Sequence, residues 1–231
     1  LHQFSLENYK AFHQRADIAI KPLTLFFGYN SAGKSAALRF LRLLADSTDG
    51  SGSSPLNLRS EVLKGADFAS LLSKHSSSQR LYMRLHFGDI IIAIIVINLP
   101  DLRIQVIEKL EVTRGRDETP CVFEWLPSDE NLKEQSQTYS YTDAGQYSEI
   151  NLAFDGLVPV EFPDELNHIL APVASSLAAF SQSYVSLSTD CVIPERYQIE
   201  TAPAKTITRR GEGMMSMLQA APAEVIQDIS S

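Results

Sequence analysis

Gly28-Tyr29-Asn30-Ser31-Ala32-Gly33-Lys34-Ser35 fits the pattern G-x-x-x-x-G-K-[ST] at every fixed position. A loop with this spacing binds the phosphates of a nucleoside triphosphate when a strand precedes it and a helix follows. Leu23-Thr24-Leu25-Phe26-Phe27, directly before the first glycine, is an apolar run of strand length. Ala36-Ala37-Leu38-Arg39-Phe40-Leu41-Arg42-Leu43-Leu44 follows the serine, and a helical period puts Ala37, Leu38, Leu41 and Leu44 on one face. The chemistry accounts for the spacing. Glycines at 28 and 33 let the backbone turn so that the N–H groups of residues 31–35 face the β-phosphate. The positive end of the helix points at the same spot. The expected contact set is Gly28, Asn30, Ser31, Ala32, Gly33, Lys34, Ser35 and Ala36. Lys34 would reach the β- and γ-phosphates, and the Ser35 hydroxyl is the candidate Mg²⁺ ligand. The plain alternative is a glycine-rich turn that caps a helix.

The 231 residues suffice for one sizeable core or a core with an inserted subdomain. A net charge of −8 argues against an all-over basic surface, while leaving room for a local basic groove. Cys121 and Cys191 form no C-x-x-C pair, and the five histidines show no paired metal-ligand spacing. A reducing cytoplasm is the simplest compartment. The most apolar run, Ile90-Ile91-Ile92-Ala93-Ile94-Ile95-Val96-Ile97, is too short to cross a bilayer as a helix and is β-branched, which predicts a buried strand. The chain starts at Leu1, so a longer parent protein is expected.

Residues 4–12 and 16–20 read as two strands around a turn, with Pro22 leading into the strand before the loop. A mobile Gly/Ser-rich stretch at 46–55 follows the helix, and Asp67 is placed to cap a short helix through Leu72. From 81 to 154 the pattern is one of strands: 81–87, 90–97, 102–112, 121–126 and 147–154. A helix is expected over about 164–180, kinked or interrupted at Pro172. A strand at 184–188, a Met-rich helix start after Gly211-Glu212-Gly213 and a final helix opened by Pro222 complete the reading. The predicted class is α/β, a P-loop NTPase with an antiparallel β region and a few helices.

Asn8-Tyr9-Lys10-Ala11-Phe12, the lead-in Pro22-Leu23-Thr24 and the loop Gly-x-Asn-x-Ala-Gly-Lys-Ser stand here in the order found in ABC-type ATPase heads. Over its first forty-odd residues the chain resembles the heads of SMC, Rad50 and RecF proteins and of the OLD-like ATPases of bacterial defence systems. Tyr184-Val185-Ser186-Leu187, Pro194-Glu195-Arg196-Tyr197 and Gly211-Glu212-Gly213 are similar to a looser pattern in the OLD-like branch. The resemblance implies that residues 1–231 form the amino-terminal part of one head. Strands, phosphate loop and helix would take 1–46, a flexible loop with a short helix 47–80, the antiparallel region 81–160, and helices with a return strand 161–231.

The same resemblance implies ATP and Mg²⁺ as ligands, with Lys34 and Ser35 in catalytic positions. Two heads would sandwich the nucleotide, giving a homo-oligomer, with an effector protein and a possible DNA contact as further partners and no membrane. A Walker B acid pair and a signature motif are expected from the family but absent from these residues, and family order puts them after residue 231. Asn98-Leu99-Pro100-Asp101 offers Asp101 as a magnesium ligand or, more simply, as a turn residue. Lys10 is a candidate nucleotide contact or an exposed lysine, and Tyr29 packs on the nucleotide or faces solvent. Arg196, Arg209 and Arg210 are candidates for a γ-phosphate sensor, a partner contact or DNA contacts, or a solvated surface. Met214, Met215 and Met217 suit adaptable core or interface filling. The functions weighed are an ATPase coupled to an effector, an ATP-bound scaffold that does not hydrolyse, and a small-molecule kinase or GTPase. The last lacks an N-K-x-D guanine element.

Overall fold

The computed structural model describes residues 1–50, 52, 54–60, 63, 66–115, 119–127, 136–187, 207, 214 and 217. The chain divides into two compact units, Leu1–Ser183 and Tyr184–Ser231.

The first unit is built on one antiparallel sheet of nine strands: β1 (Gln3–Glu7), β2 (Ala16–Ala19), β3 (Arg80–Phe87), β4 (Ile90–Leu99), β5 (Ile104–Arg114), β6 (Cys121–Trp125), β7 (Ser136–Asp143), β8 (Gln146–Asp155) and β9 (Val158–Glu161). Their order is β2-β1-β3-β4-β5-β6-β7-β8-β9. From β3 to β9 the sheet is a simple meander. The only departure is at its start, where β1 lies between β2 and β3, so the long β2–β3 connection must travel over the sheet. That connection carries the phosphate loop and helix α1 (Lys34–Asp46).

Register explains why α1 packs where it does. Side chains alternate across a strand, and pairing aligns Leu6, Met83, Ile94, Leu110, Phe123 and Tyr141 in one row across six strands. Phe4, Leu85, Ile92 and Val112 form a parallel row. All but half-buried Tyr141 are buried, and the Phe123 and Tyr141 rings stack at 5.0 Å. On this apolar face α1 lays Ala37, Phe40, Leu43 and Leu44. Phe40 stacks on Phe4 at 5.5 Å and meets Tyr9 edge-on at 5.6 Å. The buried face is therefore centred on Phe40. Leu38, expected on it, is half exposed. The aromatic ring, not the run of leucines, sets the rotation of the helix.

Helix α2 (Asn167–Ser183) follows a 3-10 turn at Asp164–Leu166 and packs against α1 and β9. It continues through Pro172 without ending. A proline inside a helix costs about 3 kcal/mol, and burial of Ile169, Leu170, Val173 and Leu177 offsets that cost.

Two expected strands are not found. Residues 23–27 form no strand: Thr24 and Phe26 are half-buried, but Leu23, Leu25 and Phe27 are 76%, 63% and 83% exposed. The alternation is that of an extended chain, and no strand among the described residues pairs with it. In the second unit, residues 184–187 also lack regular structure, with Val185 and Leu187 exposed. Met214 and Met217 are helical and exposed. Pro194, Pro203 and the helix expected at Pro222 lie outside the described residues. No helix among the described residues is long and apolar enough to cross a membrane.

Candidate functional site

The octapeptide forms a turn that runs straight into α1. Gly28 has φ +145°, Ser31 +66° and Gly33 +100°, so three of its positions lie in the left-handed half of backbone space. Ser31 alone has to accept that conformation with a side chain. Gly33 has two reasons to lack one. Besides its φ, a Cβ there would sit 3.0 Å from the Phe12 ring and 3.4 Å from the Ala11 Cβ. The end of the β1–β2 turn thus presses on the last residue before the helix.

Helix α1 starts at Lys34, and its first backbone bond runs from the Ala37 N–H to the Gly33 carbonyl at 2.9 Å. The N–H groups of Lys34, Ser35 and Ala36 therefore have no acceptor within the helix, as at any helix start. No acidic residue stands in the first turn and no side chain caps it. Exposed Asn30, Ser31, Ala32 and Ser35 surround this electropositive helix start. The Ala32 N–H differs from expectation: it donates to the Tyr29 carbonyl at 3.2 Å, because the loop closes a turn on itself.

Lys34 folds back over the loop. Its Nζ donates to the carbonyl oxygens of Gly28 and Tyr29, each at 2.6 Å. An ammonium has three donors, so one remains for a further acceptor. Three helix-start N–H groups, one anchored ammonium and the exposed Ser35 hydroxyl together make a compact array of donors fitted to phosphate oxygens. The exposed Ser35 hydroxyl, at the start of the helix, is a hard oxygen that could hold Mg²⁺.

Other sequence candidates fall elsewhere. Tyr29 is 91% exposed. Lys10 donates from Nζ to the Ser70 carbonyl at 2.5 Å. Asp101 is an exposed residue of the β4–β5 turn, where the Arg103 N–H donates to the Pro100 carbonyl. Asp67 stands one residue before the N-cap, Phe68, of the 3-10 turn Ala69–Leu71, and its Oδ1 accepts the Ser70 N–H at 3.0 Å. Arg196, Arg209, Arg210 and Met215 lie outside the described residues. Among the described residues no group of three or more His, Cys, Asp and Glu is placed to hold a metal.

Two residues matter more than the sequence suggested. Phe12 is the ring packed on Gly33, and Asn8 is the clamp that holds Phe12's turn. The Asn8 Nδ2 donates to the carbonyls of Ser78 at 3.0 Å and Arg80 at 2.6 Å, and its Oδ1 accepts the Ser73 N–H at 3.3 Å. The spacing Asn-Tyr-Lys-Ala-Phe was the available signal, but the contact it makes is non-local.

A cavity of about 290 Å³, lined by Thr48, Asp49, Gly50, Asp155, Val158, Val160, Ala178, Ser181 and Gln182, lies at the other end of α1. Thirteen residues at about 1.5 Å each separate it from the loop by roughly 20 Å. Its two carboxylates make it a poor phosphate site.

The model of the family described as AAA ATPase domain matches residues 1–155, which takes in the phosphate loop, α1 and every strand through β8. No curated protein and no solved structure matches the chain. Spanning about two thirds of the sequence, the family match places the chain in the AAA ATPase domain family, whose members are ATP-binding ATPases.

Proposed function

We propose that this member of the family binds ATP at Gly28, Asn30, Ser31, Ala32, Gly33, Lys34, Ser35 and Ala36. ATP binding would close a pair of heads and hydrolysis would reopen it, driving an attached effector in anti-phage defence or DNA processing. The observation that carries the reading is the donor array at the start of α1: three N–H groups without helical acceptors, under the ammonium of Lys34. The early-chain resemblance to SMC, Rad50, RecF and OLD-like heads supports the pairing and the setting. A possible DNA contact belongs to the same reading.

In hydrolysis, a water oxygen bonds to the γ-phosphorus while the bond to the bridging β–γ oxygen breaks, releasing ADP and phosphate. Lys34 would hold the non-bridging oxygens as charge moves onto them, and the loop N–H groups would hold the β-phosphate that leaves. Ser35 would hold Mg²⁺, which when bound neutralises phosphate charge. The test is Lys34→Ala. Loss of one charge-assisted donor at two phosphates is worth about 3 kcal/mol, a roughly hundred-fold loss of ATP affinity. Affinity like that of the wild type would sink the assignment.

A second reading is an ATP-bound scaffold that holds an effector without hydrolysing. Its support is the β4–β5 turn: where adjacent acids would end the apolar strand, Asn98, Leu99, Pro100 and an exposed Asp101 stand instead. Steady turnover by the full-length native protein decides against the scaffold.

A further inference from the structure

The turn after β1 is held in a conformation that side chains avoid. Asn8 and Lys10 have φ of +56° and +50°, strain that persists only where surroundings over-determine it. Here they do. Beyond the Asn8 clamp, the Lys10 N–H donates to the Leu71 carbonyl at 2.8 Å, and Tyr9 bridges Leu72. The β1–β2 turn and the segment 70–78 are thereby fused into one surface.

That surface gathers positive charge in a chain of net −8. Lys10 comes from the turn, Lys74 from the fused segment and Arg39 from α1, with the rings of His13 and His75 beside them. His13, Arg39, Lys74 and His75 are exposed, and the two imidazole rings meet edge-on at 6.0 Å. Burial first, then the charges of Arg39 and Lys74, hold the Lys10 ammonium below its ordinary pKa, so these cations lie within each other's field. One carboxylate, Asp67, lies in the same field and offsets part of the repulsion. Arg39 and Lys74 have no ion-pair partner among the described residues. Three cations with one carboxylate among them leave the patch net positive, which favours an anionic ligand.

We propose that Lys10, Arg39 and Lys74 bind the backbone of a single-stranded nucleic acid whose bases stack on the His13 and His75 rings, and that Phe12 links this contact to the phosphate loop. Cations for phosphates beside exposed rings for stacked bases are what a single strand requires. An acidic peptide would use the cations and leave the rings without a role. The link is the Phe12 ring against Gly33, whose backbone sets the direction of the donors at the start of α1. The contact stands by itself; the link rests on the ATP reading above.

The experiment measures binding of labelled oligo(dT), a DNA duplex and polyglutamate to the full chain by anisotropy, with ATP affinity measured separately. Arg39→Glu with Lys74→Glu should weaken oligo(dT) at least about ten-fold and lower the salt slope by roughly 1.4, since each lost phosphate contact removes about 0.7. ATP affinity should not change, and Arg103→Glu, on the β4–β5 turn, should bind as the wild type does. Unchanged oligo(dT) affinity in the double variant overturns the surface. So does tighter binding of duplex or polyglutamate, or no oligo(dT) binding by a wild type that binds ATP. For the link, ATP and oligo(dT) should alter each other's affinity in the wild type, and Phe12→Ala should abolish that coupling whatever it does to either affinity measured alone. Coupling that survives Phe12→Ala overturns the link. Oligo(dT) binding without ATP binding would instead defeat the function proposed above and leave the surface standing.

Discussion

The two ends of α1 are built to opposite rules. At its C-terminal end almost every polar group is engaged. Asp46 pairs with Arg42 at 2.8 Å and accepts the Ser60 hydroxyl, and its carbonyl takes the Asn57 side-chain amide at 3.2 Å. Ser47 Oγ accepts the Asn57 N–H at 2.9 Å, and buried Thr48 donates to the Leu44 carbonyl at 2.9 Å. The turn between β8 and β9 completes the set: the Leu157 N–H donates to the Ser47 carbonyl and the Gly156 N–H to the Gly52 carbonyl, both at 2.9 Å. The N-terminal end has three N–H groups without helical acceptors, an uncapped first turn and exposed loop residues. Polar groups left open are costly when buried and cheap when exposed, so an unsatisfied array at the surface is where binding is to be sought. The lesson is that one end anchors the helix to the sheet and the other is left available. Substitutions at the first should be read in stability, and at the second in ligand affinity.

The strongest way to break this comparison is at Gly156. Its φ is +60°, and a Cβ would fall 2.1 Å from the Ser47 carbonyl oxygen, so no side chain fits without moving the end of α1. Gly156→Val should cost about 3–5 kcal/mol from backbone strain and overpacking together. Urea unfolding measures it, and a loss under about 1 kcal/mol would show that the anchor is loose. At the open end, Ser35→Ala removes an exposed hydroxyl that packs nothing. Stability should stay within about 0.5 kcal/mol, while ATP affinity in Mg²⁺ falls roughly ten-fold, or about 1.4 kcal/mol. The ATP affinity measured without Mg²⁺ should not fall. An equal loss with and without the metal would remove Ser35 from the metal's ligands.

How far the sequence went is visible in the same elements. The loop, α1, the β1–β2 pair and most of the meander could be read because each is coded locally, by glycine spacing, apolar period or β-branched runs. Strand β7 escaped because it buries tyrosine rather than aliphatic side chains. Tyr139 is buried with its hydroxyl donating to the Ile107 carbonyl at 2.9 Å, while the alternate positions are Ser and Thr, Ser140 among them buried as well. Strand β9 has four residues, one of them Pro159, and too little pattern to detect. Residues 23–27 failed in the other direction. Their composition dictates an extended backbone, but a strand also needs a neighbour, and pairing is not written in the segment itself. At the site, the donors of Lys34 and Ser35 were legible, whereas the Phe12 contact and the Asn8 clamp join positions far apart in the chain.

The smallest test probes the anchored end without deforming it. Thr48 donates its hydroxyl to the Leu44 carbonyl from a buried position, so Thr48→Val keeps the shape, removes the donor and leaves that hydroxyl's share of the carbonyl unmet. The expected cost is about 1 kcal/mol, read as a lower urea midpoint with an unchanged slope. ATP affinity should be unaffected, because the change lies at the far end of a helix held in place by Phe40 on Phe4 and Tyr9. If the small loss of stability came with a parallel loss of ATP affinity, the two ends would be mechanically coupled. The anchor would then belong to the nucleotide cycle and not to the fold alone.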